Sequence, residues 1–77
     1  MITAAQCRSA RTLRNWSLAK LAAASGVSEA VINDFELERR RLDAASLEAL
    51  RRALEKAGIA FLPQDDVRLF AETSGRR

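Results

Sequence analysis

The 77-residue chain contains no histidine, one cysteine, one proline and three glycines. Without imidazole, histidine catalysis and histidine-ligated metals are excluded. No nucleophile, base and oxyanion donors combine to suggest an enzyme, so no cofactor, metal or small-molecule substrate is expected. The lone Cys7 cannot form an internal disulfide, suits a reducing compartment and is read as a small core residue. No apolar run approaches the roughly 18 residues that span a bilayer, and no signal-peptide pattern is visible. A cytoplasmic chain with no membrane partner is therefore expected.

Apolar residues make up 48% of the chain and charged residues 30%, with a net charge of +3. Those proportions describe one globular domain with a modest core, mildly basic and compatible with a nucleic-acid partner. Alanine, leucine and arginine dominate while turn formers are few, which favours an all-α fold.

Helix signals divide the chain. Thr3 with Gln6 forms a candidate capping box, and Ile2 with Cys7 a hydrophobic staple. Cys7, Ala10 and Leu13 then share one helical face, with Arg8, Arg11 and Arg14 turned away. Asn15-Trp16-Ser17 breaks that pattern; Ser17 is a candidate cap for a second helix, "LAKLAAAS", and Trp16 a lid over the first two helices. Gly26 is the expected left-handed stop. Ser28 caps a third helix whose inward face is Val27, Val31, Ile32 and Phe35. "ERRRLD" is a charged connector, Asp43 caps a fourth helix carrying Leu47, Leu50 and Leu54, and Gly58 stops it. Ile59 and Phe61, then Val67 and Leu69, alternate around a turn at Pro63-Gln64-Asp65-Asp66, giving a short strand or hairpin. The adjacent Asp65 and Asp66 diverge and make a poor catalytic or metal pair. The expected organisation is a four- to five-helix bundle over 1–58, a strand or hairpin extension over 59–70 and a frayed tail over 71–77.

Leu21-Ala22, Gly26-Val27-Ser28, Ile32, Phe35-Glu36 and Arg39-Arg40 together resemble the Xre family of helix-turn-helix regulators, the lambda repressor and Cro group, in its small stand-alone bacterial form. The likeness covers roughly residues 2 to 63. It implies a lambda repressor-like DNA-binding domain whose third helix enters the major groove while the second crosses the backbone. Carried over by position, Ser28, Glu29, Ala30, Asn33 and Asp34 would face bases. Ser17, Lys20, Arg39, Arg40 and Arg41 would approach phosphate. Leu21, Ala22, Gly26, Val27, Ile32 and Phe35 would form the core of the motif.

Charge complicates that reading. Residues 1–20 carry +4, residues 21–38 carry −4 (Glu29, Asp34, Glu36 and Glu38), and Arg39 to Arg41 add +3. The resemblance implies that Glu36 pairs with a nearby arginine instead of facing DNA. A carboxylate can also accept from cytosine N4, and Asn33 can pair with adenine. Two departures oppose DNA binding: Leu18 stands where many relatives have glutamine, and Glu29 where many have arginine or lysine.

Three functions follow. The first is a transcriptional regulator that binds a short double-stranded operator as a homodimer, with the fourth helix and Ile59 to Leu62 as the dimer surface. The second is an antiactivator whose acidic third helix contacts a basic regulatory protein. The third is an antitoxin-like accessory factor.

Overall fold

Thr3 opens the first helix. Its hydroxyl accepts from the Gln6 amide at 3.1 Å, and the Gln6 side chain accepts from the Thr3 amide at 2.9 Å, closing the reciprocal box. Helix α1 (Ala4–Leu13) follows. Ser17 caps α2 (Leu18–Ser25) by accepting from the Lys20 amide at 3.0 Å, and Ser28 caps α3 (Glu29–Glu36) by accepting from the Val31 amide at 3.1 Å. Asp43 takes the expected cap position before α4 (Ala44–Lys56) in extended conformation; its carboxylate makes no capping bond of full geometry, but Ser46 in the first turn is near enough to hold it below the ordinary carboxylate range. Strands β1 (Ile59–Phe61) and β2 (Val67–Leu69) pair antiparallel, with Ile59 opposite Leu69. The computed structural model describes residues 2–61 and 67–69. Leu62, the expected turn at 63–66 and the tail at 71–77 lie outside the described residues.

Each of the four helices among the described residues ends on a left-handed residue. Gly26 (φ +81°) and Gly58 (φ +97°) fill two of these positions, where a Cβ would be strained. Asn15 (φ +58°) ends α1, its amide bonded to the Thr12 carbonyl and the next amide, of Trp16, to that of Arg11. Glu38 (φ +61°) ends α3 in the same way, with bonds from Glu38 to Phe35 and from Arg39 to Asp34. These paired bonds satisfy carbonyls that a helix end leaves open. Asparagine tolerates the conformation well; glutamate does not.

The core is built from Ile2, Cys7, Ala10, Leu21, Ile32, Phe35, Leu50, Ala53, Leu54 and Ile59. α2 packs against α3 and α4, α1 against α3, α4 and β2, and β1 against α4. Two sequence expectations need correction. Leu13 is 42% exposed, whereas Arg11 turns inward. At 3.6 residues per turn, Arg11 lies only about 40° round the helix from Cys7, and Leu13 about 120°. The expected dimer surface is also largely consumed: Leu50, Leu54 and Ile59 are fully buried in their own chain's core. The outer side of α4 carries a paired charge network instead, with Glu48 bridging Arg51 and Arg52, and Arg51 also reaching Glu55.

The inward Arg11 meets Glu36. Its Nε and Nη2 donate to the two carboxylate oxygens at 3.0 and 2.8 Å, and its Nη1 donates to the Trp16 carbonyl at 3.0 Å. The Cys7 thiol donates to the same carboxylate at 3.4 Å. The Glu36 side chain is 4% exposed and that of Arg11 19%. This network fastens the end of α3 to α1 and to the α1–α2 connection. The hydrogen bonds to Glu36 strengthen the hold of Arg11 on its proton. Burial pushes the Cys7 thiol far above its ordinary range, with the Glu36 charge and bond adding to the effect and Arg11 opposing it.

Three outcomes follow for stability. Glu38→Gly relieves a left-handed side chain at the cost of added unfolded-state freedom, and should raise unfolding free energy by about 0.5–1 kcal/mol in urea titration. Arg11→Ala leaves a buried carboxylate uncompensated and should cost about 3 kcal/mol, whereas the double replacement Arg11→Met with Glu36→Leu should recover most of that loss. The thiol adds a pH dependence. Folded Cys7 keeps its proton where the unfolded thiol, near pKa ~8.5, loses it. Its contribution is therefore complete below that value and declines as pH rises above it. Urea midpoints taken between about pH 7 and 10 should show this decline in the native chain and not in Cys7→Ala.

Candidate functional site

The connection between α2 and α3 is three residues long, Gly26-Val27-Ser28. The Gly26 amide bonds to the Ala22 carbonyl at 2.9 Å and the Val27 amide to the Ser25 hydroxyl at 3.1 Å. This turn holds the two helices at a crossing. Leu21 and Ile32 are fully buried and Phe35 nearly so, while Ala22 and Val27 are half-buried against them. These side chains fix α3 from beneath and define which of its residues remain outward.

The outward residues at the start of α3 are Ser28, Glu29, Ala30 and Asn33, all exposed; Asp34 is half-buried. Ser17 and Lys20 are exposed on α2, and the Lys20 ammonium lies 5.8 Å from the centre of the Trp16 ring. Arg39, Arg40 and Arg41 are exposed after α3. The hydroxyl oxygens of Ser17 and Ser28 serve as helix caps, which leaves their O–H protons as the groups they can still offer a ligand.

These residues divide into two groups. Glu29, Ala30 and Asn33 line a concavity of about 390 Å³ together with Leu18 at the start of α2. The three arginines line a different cleft, about 450 Å³, together with Glu38, over Ile2, Phe35, Leu42 and Leu47. Leu18 is thus a member of the outward site. In the sequence it registers only as a missing glutamine, although its place one residue after the Ser17 cap sets it on the first turn of α2.

The electrostatics differ from the sequence count. Of the four acids between residues 21 and 38, Glu36 is withdrawn into the pair with Arg11, as the resemblance implied. Glu29 sits in the first turn of α3, where the helix dipole favours a negative charge. Among the described residues, Glu29, Asp34 and Glu38 make no salt bridge, and neither do Lys20, Arg39, Arg40 or Arg41. The outward site therefore presents one carboxylate at its rim, an amide and two apolar side chains, with uncompensated cations at separate positions before and after α3.

Among the described residues, no cluster of three acidic or thiol side chains is arranged to hold a metal ion, and no helix is long and apolar enough to cross a membrane.

No curated protein matches the chain in sequence. A family model described as helix-turn-helix matches residues 8–59, from within α1 to the first residue of β1. That match covers most of the chain and includes the whole of α2, the turn and α3. The chain belongs to the Xre-like, Cro/C1-type family of DNA-binding helix-turn-helix regulators.

Proposed function

We propose that this protein regulates transcription by seating α3 in the major groove of a short operator, with two copies occupying a two-fold symmetric site. The observation that carries this reading is the outward set Glu29, Ala30 and Asn33, side chains short enough for a helix to approach base edges. Ser17 and Lys20 on α2, and Arg39 to Arg41 after α3, would contact phosphate. Lys20 and the three arginines make no salt bridge among the described residues, so counterion release on DNA is available to them. The free amides in the first turn of α2 add a further attraction for phosphate. Two copies of such a domain address half-sites about 34 Å apart. With Leu50, Leu54 and Ile59 buried within one chain, the half-buried Leu47 and Phe61 are, among the described residues, the large apolar side chains left to the expected contact between copies.

A second reading rests on the exposed, unpaired Glu29 and Glu38 with the half-buried Asp34. These carboxylates suit a basic surface on another regulatory protein. The antiactivator and antitoxin-like roles both belong to this reading.

Two measurements test the choice. In a gel-shift series, log affinity for a selected operator should fall linearly with log salt, and Arg40→Ala should flatten that slope by about one unit. A slope unchanged in Arg40→Ala removes the arginine from the phosphate contacts. Glu29→Lys also separates the readings. It should tighten non-specific binding to duplex DNA under the first, and release a captured basic partner under the second.

A further inference from the structure

The concavity between α2 and α3 has a composition that favours particular bases. Leu18 and Ala30 supply its apolar part, Asn33 an amide and Glu29 a carboxylate. Leu18 is half-buried, anchored against the core at one end, while Ala30 is exposed on the first turn of α3. Neither the Glu29 nor the Asn33 side chain hydrogen-bonds to another group among the described residues, so both are available to a ligand.

In the major groove, thymine offers a C5 methyl and one acceptor, adenine a donor beside an acceptor, cytosine a donor, and guanine two acceptors. A guanine edge is the worst match for this site: its two acceptors would meet a carboxylate and two hydrocarbon groups, with only the Asn33 amide to donate. A thymine methyl is the one apolar group on any base edge, and Leu18 with Ala30 is the apolar wall available to it. The geometry points to Leu18 as a specificity-determining residue that seats a thymine methyl against Ala30, with Asn33 and Glu29 reading the donor edge of a neighbouring adenine or cytosine. This assignment rests on the major-groove reading proposed above. It gives positive meaning to the leucine: at this place an apolar residue exchanges a polar contact for recognition of a methyl group.

The test starts from duplex DNA selected out of a random pool by the full chain at low salt. Each thymine of the selected site is then replaced singly by deoxyuridine, which removes the methyl and leaves the pairing and the O4 acceptor unchanged. One thymine per half-site should weaken binding about fourfold when replaced, the effect of losing burial of one methyl-sized group. In Leu18→Ala the thymine-to-uracil ratio at that position should fall to about one. Ala30→Ser, at an exposed position that leaves the core intact, should reduce the same ratio and guards against a folding defect in the leucine variant. A wild-type chain indifferent to deoxyuridine at every position, a selected site without thymine, or a ratio that survives in both variants would overturn the role of Leu18 while leaving DNA recognition standing. A pool from which no sequence is retained would overturn DNA recognition, and this assignment with it.

Discussion

The bidentate pair between Arg11 and Glu36 is the constraint on which the placement of α3 depends. An eight-residue helix such as α3 is too short to be stable alone, and its orientation is set by whatever it packs on. Ile32 and Phe35 supply the apolar contact, but an apolar face alone tolerates some rotation about the helix axis. The guanidinium fork does not. Its three bonds reach the end of α3 and the α1–α2 connection from a position on α1, so these segments share one directional fastening. Replacing such a pair with hydrocarbon is often neutral or favourable for stability; what the fork adds over hydrocarbon is direction, two donors aimed at one carboxylate.

That pair also bears on how much negative charge α3 presents outward. The −4 of residues 21–38 is a property of the sequence interval. One of its carboxylates faces the interior and is neutralised there, another stabilises the helix start, and a third sits at the left-handed stop beyond the helix. The concavity between α2 and α3 meets a single acid, Glu29. The three consecutive arginines lie over another cleft. The concavity with its single acid and the arginine cleft, which Glu38 also lines, are thus separate places on the surface.

Much of the fold was legible because it is written in local chemistry. Thr3, Ser17 and Ser28 announce helix starts, Gly26 and Gly58 announce ends, and the leucines of α4 recur at helical spacing. The misses came from residues whose position contradicts their usual habit. Glu38 is a poor left-handed residue, and nothing in its identity marks it as a helix stop. Arg11 is charged, and was grouped with its solvated neighbours Arg8 and Arg14 although the helical angle places it beside Cys7. Leu18 registers in the sequence only as an absent glutamine, because only the folded turn sets it in one concavity with Ala30. The expected dimer surface is narrowed for a related reason: periodicity identifies an apolar face without saying how much of it the same chain will cover.

The single tryptophan links two of these features. Trp16 gives its carbonyl to the Arg11 fork, while its ring carries the Lys20 ammonium at the threshold of α2. A cation held over an indole perturbs the excited state of the ring, and an anion that draws the lysine away changes that perturbation. The molecule therefore carries its one indole at the start of α2, where its emission would report displacement of the Lys20 ammonium without a dye.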